Sequence, residues 1–242
     1  MKPLVLLHGW GTSASVFGPL CNRLRWHYRT CAIPLAGYGG APACEPYDLE
    51  GLAKAAACAA PERALVIGWS LGAQVALAWA HAVPQQVDKL VLIGATPCFT
   101  QREDWSHAID AGVLHEFSRA LAVDRKRTLQ RFASLQAQGE HDSKAVARAL
   151  RVAAAPADTN TATLQRGLDV LLETDMRDVL PSITLSVLVV HGEHDDLAPA
   201  AAGAYLAGAL PDARLHLIGG AAHAPFVAHT DTVADAIEDF FG

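Results

Sequence analysis

Basic side chains are in short supply in this chain of 242 residues: 19 Lys and Arg stand against 25 Asp and Glu, a formal net charge of −6. A partner with a phosphate backbone demands a basic footprint, so nucleic acid is excluded as the main ligand. Cysteine is also sparse. Cys21, Cys31, Cys44, Cys58 and Cys98 are odd in number and include no Cys-x-x-Cys pair, which argues against a disulfide framework and a zinc site and makes a reducing cytoplasm the expected compartment. Long hydrophobic runs are missing too. At the N-terminus Leu4-Val5-Leu6-Leu7 yields at once to His8-Gly9, too short for the core of an export signal and far from the roughly 20 apolar residues that cross a bilayer. Neither export nor membrane association is expected.

What the chain does have is apolar content, 51% of its residues, enough to fill the core of one α/β domain carrying an insertion. A monomer is the default expectation. Short apolar runs at residues 3–7, 28–33, 64–67, 89–94, 186–191 and 214–218 alternate with helix-like stretches at 20–26, 49–60, 71–82, 200–209 and 232–241. This rhythm predicts a mostly parallel sheet with helices on both faces. It breaks over residues 99–181, which hold no strand-like run and repeat Ala, Leu, Arg and Gln at helical spacing. That block is expected to be a helical lid over the strand ends, inserted in a core of residues 1–98 and 182–242. Within it, residues 117–155 hold Arg119, Arg125, Lys126, Arg127, Arg131, Lys144, Arg148 and Arg151 against only Asp124, Glu140 and Asp142. Such a cluster is either a solvated helical face or a docking surface for an acidic protein.

The most informative stretch is Gly68-Trp69-Ser70-Leu71-Gly72, which follows the apolar run Ala64-Leu65-Val66-Ile67 and opens a helix-like segment. A serine between two glycines at a strand-to-helix corner is held in a strained backbone conformation with its hydroxyl exposed, the arrangement of a nucleophile elbow. A serine hydroxyl needs a base to take its proton and a carboxylate to orient that base. In this architecture they follow in the order Ser, Asp, His. The loop after the run at 186–191 offers Asp195, with Asp196 as the competitor, and the loop after the run at 214–218 offers His223. His8 is expected to brace a loop, and His191, His194, His216 and His229 have no comparable warrant. The Leu71 amide, at a helix N-terminus, and the Trp10 amide in His8-Gly9-Trp10-Gly11 are the expected donors to an oxyanion.

Taken in order, these motifs resemble the α/β-hydrolase superfamily. Within it the chain is similar to the biotin-synthesis carboxylesterases, the pimeloyl-[acyl-carrier protein] methyl ester esterases. The likeness rests on Leu6-Leu7-His8-Gly9-Trp10-Gly11, Gly68-Trp69-Ser70-Leu71-Gly72, Thr96-Pro97-Cys98-Phe99, Arg131-Phe132-x-x-Leu135-Gln136 and Ala221-Ala222-His223-Ala224-Pro225-Phe226. It implies hydrolysis of the methyl ester of a pimeloyl group carried on acyl carrier protein, with no cofactor. Ser70, Asp195 and His223 would be catalytic. Trp10, Ser70, Leu71 and His223 would touch the ester, and Phe132, Ala133, Ser134, Leu135 and Gln136 would line an acyl tunnel. Arg127, Arg131, Arg148 and Arg151 would grip the acidic carrier.

Against that pattern, the chain begins almost at the third strand of the usual fold, so the N-terminal hairpin is expected to be missing and a sheet edge exposed. The loop Pro34-Leu35-Ala36-Gly37-Tyr38-Gly39 also departs from the Asp and Pro-Gly that relatives more often carry. Dehalogenases and epoxide hydrolases carry Asp where Ser70 stands and are disfavoured. A general short-acyl esterase or thioesterase, and a non-catalytic ligand-binding protein of the same fold, remain the alternatives.

Overall fold

The computed structural model describes all 242 residues, Met1–Gly242. Six strands, β1 (Lys2–Leu7), β2 (Tyr28–Ile33), β3 (Ala64–Trp69), β4 (Val87–Ile93), β5 (Val187–Gly192) and β6 (Ala213–Ile218), form one sheet in the order β2-β1-β3-β4-β5-β6. Every pairing is parallel. Ten α-helices accompany it: α1 (Gly18–Leu24), α2 (Leu49–Ala59), α3 (Leu71–Ala82), α4 (Ala111–Val123), α5 (Arg125–Gln136), α6 (Ser143–Val152), α7 (Thr161–Glu173), α8 (Ala200–Ala209), α9 (Pro225–Ala228) and α10 (Thr230–Phe241). No helix is long and apolar enough to cross a membrane.

Strand side chains alternate between the two faces of a sheet, so a strand covered on both sides must be apolar throughout. Leu4, Leu6, Leu65, Ile67, Val91, Ile93, Leu188 and Val190 pack with Leu20 and Leu24 of α1 and Ile237 and Phe241 of α10. Their alternates Val5, Leu7, Val66, Leu90, Leu92, Val187 and Val189 pack with α2, α3 and α8 through Leu52, Val75 and Leu206. The edges read differently. In β2 Arg29 and Cys31 are exposed, and β6 exposes Leu215 and Leu217.

The connectivity puts the functional loops together. From β1 the chain passes to β2 on one side and returns to β3 on the other. The loops leaving β1 and β3 therefore part at their carboxyl ends, where open parallel sheets bind ligands. Helices α4 to α7 lie between β4 and β5 in the chain. Each opens on a polar side chain that accepts a first-turn N–H: Asp110 from Gly112, Asp124 from Arg127, Asp142 from Ala145 and Asn160 from Thr163. The loop after β2 docks on this block. Gly39 N–H donates to Thr159 Oγ1 at 3.2 Å, and a Cβ on Gly37, whose φ is 80°, would meet Thr163.

Candidate active site

Between the last residue of β3 and the first of α3 stands Ser70, the one non-glycine residue with positive φ (55°). Such a conformation costs about 1–3 kcal/mol and persists only where its surroundings over-determine it. Here Ser70 N–H donates to Ile93 O at 3.1 Å, and Ser70 O accepts from Ala73 N–H at 2.9 Å and Gln74 N–H at 3.2 Å. The flanking glycines make the corner possible. A Cβ on Gly68 would strike the Gly72 carbonyl oxygen, and one on Gly72 would strike the carbonyl oxygen of Leu7.

The loops after β5 and β6 bring a carboxylate and an imidazole to that corner. His223 Nε2 lies 2.9 Å from Ser70 Oγ, and His223 Nδ1 lies 2.8 Å from Asp195 Oδ2. A carboxylate only accepts, so Nδ1 carries the proton and Nε2 is free to accept the serine hydroxyl. Asp195 Oδ1 accepts Leu197 N–H and Ala198 N–H, each at 2.9 Å. Burial pushes the Asp195 carboxyl upward, but His223, His191 and Ala198 N–H together outweigh it and hold it below the ordinary carboxylate range. Asp196, the competing residue, is exposed and accepts Gln138 Nε2 at 3.2 Å.

Trp69, from within the elbow motif, and Gly94, which no motif marks, seat His223. Trp69 Nε1 donates to His223 O at 2.8 Å, and the Cβ that Gly94 lacks would lie 2.8 Å from the same oxygen. His191 is buried beneath the acid, donating through Nε2 to Ala198 O at 2.6 Å with Asp195 Oδ2 3.5 Å away. Burial lowers its pKa, with Asp195 acting in the opposite direction. His8 accepts Leu35 N–H on Nε2 at 3.1 Å and donates from Nδ1 to Gly9 O at 2.9 Å, tying the β1 and β2 loops together.

Leu71 follows Ser70 directly, and Trp10 follows Gly9, where a Cβ would lie 3.2 Å from Ser70 Cβ. Leu71 opens α3, so its N–H has no partner within the helix. Neither amide is spent on a turn or loop hydrogen bond. The Trp10 side chain points the other way, into the α4–α7 block: Nε1 donates to Leu164 O at 2.8 Å, and Phe132 meets the indole edge-on at 4.7 Å. The same block pairs with the β1 loop through Ser13 N–H to Ala153 O (2.8 Å) and Ala155 N–H to Gly11 O (2.9 Å). Under this cover Ser70 is 3% exposed and His223 1%.

A continuous lining by residues 132–136 is not what α5 provides, because five consecutive residues of a helix cannot face one side. Phe132 faces Trp10 and Leu135 packs on the same cluster, whereas Ala133 packs with Val146, Ala147 and Leu150 against α6. Ser134 is exposed and accepts Arg151 Nη2 at 2.7 Å, away from Ser70. Gln136 is buried with both ends of its amide unpartnered. Arg148, Arg151 and Lys144 line a polar surface groove of about 440 Å³ between α5 and α6. Arg127 is exposed nearby on α5, and Arg131 is paired with Glu116 at 2.8 Å and lies over the Phe117 ring. A groove of about 1090 Å³ runs between α2, the end of α3 and α7 past Leu49, Trp79 and Met176 and contains no member of the Ser70, His223 and Asp195 cluster.

Comparison with known proteins agrees with this geometry. A family profile described as alpha/beta hydrolase fold matches residues 2–230. The chain is 40% identical to a pimeloyl-[acyl-carrier protein] methyl ester esterase of Aromatoleum aromaticum, across 98% of this chain and 96% of that protein. It is 36% identical to one of Pectobacterium atrosepticum, across 98% and 93%. Among solved structures, an esterase from Exiguobacterium antarcticum superposes with a TM-score of 0.89 at 24% identity, covering 99% of this chain and 91% of that one. With its six-stranded parallel sheet and its full-length likeness to these relatives, the chain belongs to the α/β-hydrolase fold family, in the branch whose curated members are named pimeloyl-[acyl-carrier protein] methyl ester esterase.

Proposed function

We propose that the protein is a serine carboxylesterase that hydrolyses the methyl ester of pimeloyl-acyl-carrier-protein methyl ester, in the biotin-synthesis role of its relatives. The observation that carries this reading is the Ser70 to His223 to Asp195 relay, with separations of 2.9 and 2.8 Å. Ser70 Oγ attacks the ester carbonyl while His223 Nε2 takes its proton. The oxyanion that forms lies toward the Leu71 and Trp10 amides. As the tetrahedral intermediate collapses, His223 returns the proton to the departing methoxide, which leaves as methanol. A water then attacks the acyl-serine by the same relay, releasing the free carboxylate. Asp195 holds the imidazole in the productive tautomer and stabilises it while it is cationic. The chemistry requires neither metal nor organic cofactor.

The substrate carries a methyl ester at one end and the carrier thioester at the other, so the protein must admit the acyl chain ester-first. Phe132, Leu135 and the unpartnered amide of Gln136 are the lid groups placed to receive it. The exposed Arg127, Arg131, Arg148 and Arg151 then face the acidic carrier outside. The test is kcat/KM on pimeloyl-carrier-protein methyl ester against a short free methyl ester, with Ser70→Ala as the blank. A preference for the carrier-bound ester, and a loss of about 10⁴-fold or more in the blank, is expected. Equal turnover of the free ester would leave a general carboxylesterase, and an active Ser70→Ala protein would remove the mechanism.

A further inference from the structure

Among the basic residues of the α4–α7 block, one acid is buried. Glu140 sits in the turn between α5 and α6 with its side chain only 2% exposed. A carboxylate withdrawn from water in this way needs partners to offset the desolvation. Its partners belong to the loop and helix around His223. Glu140 Oε1 accepts the N–H of Ala222 at 2.8 Å, and Oε2 lies 3.3 Å from His229 Nε2 at the start of α10.

The neighbouring residues of the turn make matching contacts. Gly139 O is 3.2 Å from His194 Nδ1, and Gln138 Nε2 donates to Asp196 Oδ2 at 3.2 Å. Gly139 has φ 97°, and a Cβ there would lie 2.8 Å from the His194 carbonyl oxygen. Three consecutive lid residues thus touch the sequence neighbours of Asp195 on both sides and of His223 on one. The two loops they clasp are themselves joined by His194 N–H to Ala221 O at 2.8 Å. Beneath the turn, Ala137 and Val146 pack with Ala221, Ala224 and Phe226.

We infer that Glu140 is a positioning residue for the reaction: by fixing the Ala222 amide it sets the orientation of the His223 loop. The inference rests on His223 acting as the base in the proposed esterase. Angular freedom in a base is felt in rate before it is felt in binding, because a misplacement of about 1 Å can cost about 100-fold in turnover. Glu140 touches neither substrate nor Ser70, so substrate affinity has no reason to follow.

The test compares Glu140→Ala and Glu140→Gln with the wild type on a small free ester, with active sites counted by a p-nitrophenyl phosphonate that labels Ser70. For Glu140→Ala, kcat per labelled site is expected to fall about 10- to 100-fold with KM within about twofold. Glu140→Gln, which keeps an acceptor for the Ala222 amide, is expected to stay within about threefold of wild type. If Glu140→Ala lowers only the melting temperature or the number of labelled sites and leaves kcat per site intact, Glu140 serves the fold alone and the inference fails. Equal losses in the two variants overturn it as well. Should the alanine protein not fold, Glu140→Met, similar in volume and lacking an acceptor, is read in the same way; if neither folds, Glu140 is a determinant of folding and the inference fails. Failure of the underlying mechanism looks different, since wild-type protein would then resist the phosphonate or Ser70→Ala would stay active.

Discussion

At the scale of single residues, protonation is decided by burial and partners together. Asp195 and His8 are both buried, yet one is kept charged and the other neutral. Asp195 is surrounded by imidazoles and amide donors that outweigh its desolvation. His8 meets the amide of Leu35 on one nitrogen and the Gly9 carbonyl on the other, and burial brings its pKa from 6.5 down to about 4. The unfolded chain therefore binds a proton on His8 near pH 6.5 while the folded protein resists it. Stability from this residue is fully present above pH 6.5 and is lost as pH falls from 6.5 to 4, by up to about 3 kcal/mol. Urea unfolding across that window is expected to show the decline in wild type and a flatter profile in His8→Gln, whose side-chain oxygen still accepts from Leu35 but does not titrate. At Asp195 the isosteric Asn is expected to lower kcat by about 10⁴-fold with little change in fold, because its amide can hold the wrong tautomer of His223.

At the scale of elements, glycine means opposite things in two helices. Gly72, in the first turn of α3, lies against β1, where a Cβ would meet the carbonyl oxygens of Leu7 and His8. Gly208, near the end of α8, has no atom within 4 Å of the place a Cβ would take. Gly208→Ala is expected to stabilise the protein by about 0.5–1 kcal/mol through the unfolded chain. Gly72→Ala is expected to destabilise it by about 3 kcal/mol, or to prevent accumulation of soluble protein, because backbone atoms cannot yield as a side chain does. Paired denaturation curves check both signs. The sequence marks Gly72 through its place in the elbow. It also holds signals for the lid helices that periodicity alone does not separate: Asp110, Asp124, Asp142 and Asn160 each precede a helix and cap it. A block read only as helical over 99–181 resolves at those four residues.

At the scale of the whole molecule, charge is divided between a basic stretch of the lid, residues 117–155, and an acidic remainder. If the lid docks an acidic carrier, reversing Arg127, Arg131 and Arg148 together should raise KM for the carrier-bound ester at least about tenfold while sparing a small free ester. Added salt should weaken only the carrier reaction, since exposed charges are screened over about 8 Å at physiological ionic strength. Equal loss on both substrates would mean that the substitutions damaged the lid itself. Arg131 is the residue to watch in such data, because it already holds Glu116 and its reversal places two acids side by side. The cover over Ser70 is also a property of the whole: it is tied to the β1 loop by Trp10, Ser13 and Ala155 and to the His223 loop by Glu140.

What the sequence determined by itself was whatever depends on local spacing. Alternating apolar runs dictate a parallel sheet covered on both faces, and Gly-x-Ser-x-Gly dictates the elbow, because glycine is required wherever a strand and helix approach that closely. Positions after strand ends were enough to single out Asp195 and His223 as the residues to examine. Tertiary structure alone decided what depends on contacts distant along the chain. The choice between Asp195 and Asp196 as the neighbour of His223 turns on which of two adjacent side chains is buried. Ser134 turns outward because a helix rotates about 100° per residue. Glu140, 82 positions from Ala222, carries no pattern to announce it. Burial and hydrogen bonding are assigned only when the chain has folded, and no local spacing encodes them.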